Sequence, residues 1–385
     1  MVAKFILPLL SVGVFYAIFY FAEVNGANKL VSSSVASGRL PGSDAPLRRV
    51  YTGVGPIDEL LTVLVVFFWP TTDGSHLSLF VHSIGFSGTF GSAWVLVTLE
   101  SWRRGNAWTV AGFPVVFGLM AQVLTIAFAG SLYGAVQLFT SVTAVKPTAE
   151  NIRVPRAVLK AIPLVFLVGF MVPTSLLLVP VSEHVTTDLK QVFIALWQPW
   201  PAYVSILLTI VHIVFSPFTT NDNNVEGGRA TLRSLRWVYA FAFGHAALSH
   251  IISWTIPLAT LVAPQLFKEE YLNALHPSAV FEIPKPWETP VLVDNLGAGV
   301  HAFLRWDYLI SSAGILIWAL TLYQNAHRTV YGRAGCVGLF VKVAALAAVS
   351  GPVGAAVELI WERDELVINE LGGLKRVAAP NKKVA

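Results

Sequence analysis

The chain has 385 residues, of which 55% are hydrophobic and 12% charged, with a formal net charge of +4. Soluble domains carry roughly 25% charged residues, so this density cannot cover a globular surface in water. The charge is spread over many segments without a basic stripe, which argues against a nucleic-acid partner. A single cysteine, Cys336, leaves no intrachain disulfide framework and no cysteine metal site.

A spanning helix needs about 20 apolar residues, because the hydrocarbon core is about 30 Å thick. Apolar runs fall at 5–23, 57–71, 77–99, 107–145, 161–180, 191–215, 236–263, 302–323 and 335–360. The predicted fold is all-α: a polytopic transmembrane helical bundle of about eight to ten helices. The first run follows Lys4 and outruns the roughly 7–15 apolar residues of a signal peptide, so it reads as a retained span. The fourth is too long for one simple crossing. It reads as a hairpin turning near Gly130-Ser131 or as one long bent helix.

Cytoplasmic loops are enriched in Lys and Arg. The segments 24–56, 100–106, 146–160, 216–235 and 324–334 are basic, whereas 72–76, 181–190 and 264–301 are not. The two groups alternate if 107–145 crosses twice, giving ten crossings with both termini on the non-cytoplasmic side. A re-entrant last span near Gly351-Pro352 would change the count. The chain is thus one transmembrane domain over 1–361, with 264–301 an extramembrane loop or cap, and a charged C-terminal tail over 362–385. No internal repeat is visible.

An ionisable residue in hydrocarbon is expensive and marks a site by default. Glu23 ends the first run, Asp58 and Glu59 open the second, and Glu100 ends the third. In the ten-crossing topology all four lie at the cytoplasmic mouth, where like charges and desolvation disfavour ionisation and suit a general acid. The plainer readings are helix capping for Asp58 and Glu59, pairing with Arg103 or Arg104 for Glu100, and interface positions for Glu23 and Glu358. Asp307 lies inside an apolar run, where the plain reading is an interface pair with Arg305. His245 and His250 are about 140° apart around a helix, which weakens a two-histidine metal site. Aromatic faces stabilise cations, so intramembrane rings such as Trp197 and Trp254 suit a carbocation pocket, although packing or lipid contact accounts for most such rings.

Several chemistries lose weight. There is no DDxxD cluster for a magnesium diphosphate; the nearest stretch, Asn221-Asp222-Asn223-Asn224-Val225-Glu226, has too few carboxylates. DxDD, GxxxxGK[ST], HExxH and GxSxG are also missing. Proton-initiated chemistry on an oily neutral substrate, binding and transport remain.

Particular segments resemble a known family. They are Thr52-Gly53-Val54-Gly55-Pro56-Ile57-Asp58-Glu59-Leu60-Leu61, Phe67-Phe68-Trp69-Pro70-Thr71-Thr72-Asp73-Gly74 and Leu99-Glu100-Ser101-Trp102-Arg103-Arg104-Gly105-Asn106. Two more are Gln191-Val192-Phe193-Ile194-Ala195-Leu196-Trp197-Gln198 and Trp306-Asp307-Tyr308. Together, over about 50–325, the order and character of these segments resemble the membrane-bound terpene cyclases of fungal meroterpenoid pathways, of the ascofuranone and macrophorin type. That resemblance implies protonation of a terminal alkene or epoxide on a farnesylated ring, then ring closure through carbocations. It also implies an endomembrane setting, such as the endoplasmic reticulum, and no metal or other cofactor. Expected partners are a lipophilic prenylated substrate, the bilayer and other membrane biosynthetic enzymes.

The expected catalytic residues are Asp58, Glu59 or Glu100 as acid, with Asp307 as a second acid or base-orienting group. Trp69, Trp197, His250, Trp254 and Trp306 are expected to bind substrate. A proton-coupled exporter of a hydrophobic metabolite, or a non-catalytic membrane scaffold, fits the same spans.

Overall fold

The computed structural model describes residues 2–219, 225–333 and 338–371, and the side chains of these except 225–229 and 371. Cys336, residues 221–224 of the Asn-rich stretch and the tail beyond 371 lie outside the described residues.

Among the described residues the fold is all-α, and seven helices are long and apolar enough to cross a membrane. In chain order the principal helices are α1 (Ala3–Val24), α2 (Ala27–Ser37), α3 (Gly55–Phe68), α4 (Leu77–Ser101), α5 (Pro114–Leu124), α6 (Ile126–Thr140) and α7 (Arg156–Leu178). They continue as α8 (Thr187–Trp197), α9 (Trp200–Phe215), α10 (Val225–Val262), α11 (Glu269–Leu275), α12 (Pro277–Phe281), α13 (Leu296–Tyr331) and α14 (Gly338–Leu366). Helix α1 shows why a bundle forms in lipid. Phe5, Leu9, Val12, Tyr16 and Tyr20 are exposed at helical spacing, while Leu7, Val14 and Ile18 are buried against the bundle. Large exposed apolar stripes are costly in water and harmless against acyl chains.

The segment 107–145 turns back on itself. Thr125 breaks it with φ 78° and ψ 155°. Phe117 and Tyr133, eight residues either side, pack edge to face at 5.2 Å. Beyond the hairpin's two ends, the peptide NH groups of Arg104 and Gly105 donate to the carbonyls of Arg153 and Asn151, at 2.8 Å each. The α5–α6 hairpin therefore enters and leaves on one face, with its turn at Thr125 rather than Gly130-Ser131. At about 17 and 23 Å, its arms are too short to cross singly.

The last span does the same. Gly351 interrupts α14 with φ 74° and ψ 165°, and Lys342 pairs with Glu362 across the fold. The returning arm runs antiparallel to α10: Arg236 pairs with Glu365 at 2.7 Å and Tyr239 donates to Asp364 at 2.6 Å. Deeper in, a Cβ on Gly351 would lie 3.1 Å from His250 Nδ1. Of the seven long apolar helices, six run as single helices and the seventh is doubled back at Gly351.

Two further expectations change. Helix α3 is about 21 Å long and too short to span; it lies at the face opposite the hairpin ends. Proline then divides 191–215 into α8 and α9, with Pro199 between them. The 24–56 loop also lies on that opposite face, since Val293 NH donates to Asn25 O at 3.0 Å. Its Arg39 and Arg48 are paired with Asp44 and Asp188, so they misled the charge count. Both described ends of the chain lie with the hairpin ends, on the face carrying Arg103, Arg104, Arg153 and Arg236. Segment 264–295, holding α11 and α12, covers the opposite face.

Candidate active site

The structure separates the acids that the sequence placed together. Glu100, at the end of α4, lies at the hairpin-end face; Asp58 and Glu23 lie at the other, one crossing away.

Glu100 is wholly buried in an ion network. Its Oε1 accepts from Arg103 Nε and from Arg363 Nη1, each at 2.5 Å. Its Oε2 accepts from Gln137 and Thr143 at 3.2 Å. Arg103 pairs in turn with Asp364 at 2.8 Å. The carboxylate thus ties α4 to both hairpins. Arg104 pairs instead with exposed Glu150.

Asp58 closes a loop. Its carboxylate accepts from the peptide NH groups of Tyr51, Thr52 and Gly53 and from Thr52 Oγ1, at 2.7–3.1 Å. These bonds, led by the Thr52 peptide NH, hold its pKa below the ordinary carboxylate range. Glu59 is exposed on the same helix.

Asp307 is 3% exposed and lies about 17 Å along α13. Its Oδ1 accepts from the peptide NH of Ala127 at 2.7 Å. Asp307 therefore caps α6 at the tip of the first hairpin. It pairs with no cation among the described residues. Arg305 is not its partner: two residues is about 200° around a helix, and Arg305 donates to the carbonyl of Glu282. Thr125 holds a backbone conformation that is nearly glycine-only and costs about 1–3 kcal/mol. Thr125 Oγ1 accepts from the Phe128 NH at 3.2 Å.

Two cavities flank the seam between α4 and α10. The helices meet closely there because α4 presents glycine: a Cβ on Gly88 would stand 1.6 Å from Ser249 Oγ, and one on Gly85 2.7 Å from Ser253 Oγ. On one side is an aromatic chamber of about 260 Å³, lined by Phe68, Phe80, Phe86, Phe90, Trp197 and His245. The Trp197 indole NH donates to Thr174 at 3.0 Å, which fixes its ring against Phe68 at 5.3 Å. Leu304 of α13 closes one wall, and Asp307 follows one turn later on the same face. On the other side is a cavity of about 690 Å³ containing His82, His250, Trp254, Arg305 and Tyr308.

The expected binding residues are thus divided. Trp197 faces the chamber, and His250 and Trp254 face the second cavity. Trp69 is packed in the core. Trp306 donates to Pro284 O at 2.7 Å, anchoring the 264–295 segment. Glu358 is half-buried on the returning arm of α14. His82, an intramembrane histidine, was open to the same sequence criterion as His245. The phenylalanines were not, because a phenylalanine facing lipid and one facing a chamber have the same local sequence. No group of three or more His, Cys, Asp or Glu able to hold a metal occurs among the described residues.

Residues 3–368 match the CtvD domain family model. The chain is similar to the terpene cyclase ctvD of Aspergillus terreus, 31% identical over 94% of this chain and 99% of the relative. It is also similar to the terpene cyclase penA of Penicillium crustosum, 27% identical over 94% and 95% of the two chains. A third relative, the terpene cyclase ascI of Acremonium egyptiacum, is 27% identical over 90% and 87%. No solved structure matches the chain. A family model spanning nearly the whole chain, on a bundle of lipid-exposed helices, establishes the kinship: this integral membrane protein belongs to the CtvD-domain family of fungal terpene cyclases.

Proposed function

We propose that the chain cyclises a farnesylated substrate by protonating its terminal alkene or epoxide, with Asp307 as the proton donor. The observation that carries this is the setting of Asp307: buried within a spanning helix, unpaired with any cation among the described residues, and one turn beyond the wall of an aromatic chamber. Asp58 and Glu100 are committed to hydrogen bonds and ion pairs, and Glu59 is exposed.

The isoprenoid chain occupies the chamber. The Asp307 carboxyl gives its proton to the alkene carbon or the epoxide oxygen, and the next double bond supplies the electron pair that closes the ring. The carboxylate left behind keeps its hydrogen bond from the Ala127 NH at the positive end of α6, where a negative charge is favoured. Faces of Phe68, Phe86, Phe90 and Trp197 stabilise the cation, and the apolar wall excludes water that would quench it. A final proton loss restores a neutral isomer. No diphosphate leaves, so the reaction calls for no magnesium.

The substrate type is a farnesylated phenol or cyclohexenone of the ascofuranone and macrophorin kind, the type that the quoted segments resemble. We place the chain in the endoplasmic reticulum, with the basic face cytoplasmic, beside the membrane enzymes that prenylate and epoxidise its substrate. The test is conversion of a farnesylated phenol, or its terminal epoxide, by microsomes containing only this protein. A cyclic product of unchanged mass is expected. No product from either substrate would sink the proposal.

A further inference from the structure

The cavity across the seam from the chamber has a chemistry of its own. Arg305 lines it and has no ion-pair partner among the described residues. One nitrogen donates to the carbonyl of Glu282, and its buried Nε has no hydrogen-bond partner. The Glu282 carboxylate is close enough to interact electrostatically but forms no ion pair. His82, 4% exposed, lines the same cavity, and its Nδ1 is also buried without a partner. Its ring lies 5.7 Å from Tyr308 and 5.4 Å from His301, whose Nε2 bonds the carbonyl of Val280. Leaving such groups unsatisfied in a low-dielectric interior is costly.

The rest of the cavity is apolar. Trp254 stacks on Phe281 at 4.0 Å in one wall. Leu258, Leu309 and Val349 on the rim are 46%, 40% and 59% exposed, on stretches of helix that face lipid. The cavity therefore opens sideways to the bilayer, with cationic and hydrogen-bonding groups inside and hydrocarbon at its mouth.

We infer that this cavity binds an anionic amphiphile from the bilayer, its charged oxygen group on Arg305 and His82 and its acyl chain along Trp254 toward the rim. A guanidinium without an ion-pair partner in a mostly apolar cavity favours an oxygen anion over a neutral group. The chemistry is shared by a free fatty acid and an acidic phospholipid, and both reach the site laterally. This does not depend on cyclase activity, because binding is measured directly.

The test uses the full chain in phosphatidylcholine nanodiscs, with dibromostearate or brominated phosphatidylglycerol as quenchers of tryptophan fluorescence. Saturable quenching by one or both is expected, and the lower half-saturation identifies the source. Trp254→Phe should remove most of the quenched signal. Arg305→Gln should weaken binding by roughly ten- to a hundredfold, and Arg305→Lys should recover part of it. Gel-filtration profiles matching wild type would establish that the variants are folded. Equal quenching by brominated phosphatidylcholine, or an unchanged affinity in folded Arg305→Gln, would overturn the inference.

Discussion

Replacing Glu100 by glutamine distinguishes a structural carboxylate from a catalytic one. The buried network holds Glu100, Arg103, Arg363 and Asp364, two charges of each sign and all at most 1% exposed. Glu100→Gln leaves one uncompensated positive charge between α4 and the second hairpin. Breaking a buried pair from one side costs about 3–5 kcal/mol, and we expect the lower end because glutamine still hydrogen-bonds Arg103. A loss of about 3 kcal/mol lowers the folded-to-unfolded ratio by roughly two orders of magnitude. Arg363→Gln leaves the opposite charge and should be comparably damaging. The double variant retains the balanced Arg103–Asp364 pair, so it should be less destabilised than the sum by about 1–3 kcal/mol. The assay is unfolding of purified protein in detergent micelles, read beside product formation in microsomes. A Glu100→Gln protein that unfolds like wild type yet makes no product would refute the structural assignment and make Glu100 the acid.

Asp307→Asn keeps an acceptor for the Ala127 NH but has no acidic proton; the protein should accumulate normally while conversion falls by roughly 10²–10⁴, the usual worth of a general acid, as measured by product mass spectrometry. Gly88→Ala places a methyl group 1.6 Å from Ser249 Oγ and 2.3 Å from its Cβ, so α4 and α10 must part; membrane yield should drop, and the Ser249→Gly partner substitution should restore it. Gly351→Ala forces a side chain into a glycine-only backbone region and against His250, and should cost about 1–3 kcal/mol in the same unfolding assay. The Asp58 carboxyl has a depressed folded-state pKa, so its contribution is fully present above its unfolded value, near 3.8. That contribution is lost only as pH falls through the lower folded value. Proteolysis of the 46–58 loop should therefore stay constant from pH 7 to about 4 in wild type. The same loop should be cleaved faster in Asp58→Ala across that range; equal rates would show that the carboxylate does not order it.

The amino-acid sequence by itself determined the solvent and the fold class. Charge density and the length of the apolar runs are additive properties of composition, and only a helical bundle satisfies the backbone of such a chain in lipid. Segments Thr52–Leu61, Phe67–Gly74, Leu99–Asn106, Gln191–Gln198 and Trp306–Tyr308 together suggested the terpene cyclases, and nearly full-length similarity to named cyclases supports that family while not singling out one pathway. Gly351-Pro352 was open to reading as a reversal of the last run, but composition could not fix whether it is used or where 107–145 turns. Thr125 and Gly351 carry the reversals through single backbone angles, and a threonine at such an angle has no sequence signature. The fate of each carboxylate was equally hidden. Glu100 met Arg363, which is 263 residues away, and Asp307 met the tip of a hairpin 180 residues earlier. An acid's chemistry depends on which donors and cations surround it, and those neighbours are set by long-range packing. Only the tertiary structure therefore decided that Glu100 and Asp58 are bound into ion pairs and loops, and that Asp307, with no cation partner among the described residues, caps α6 one turn from Leu304 in the wall of an aromatic chamber.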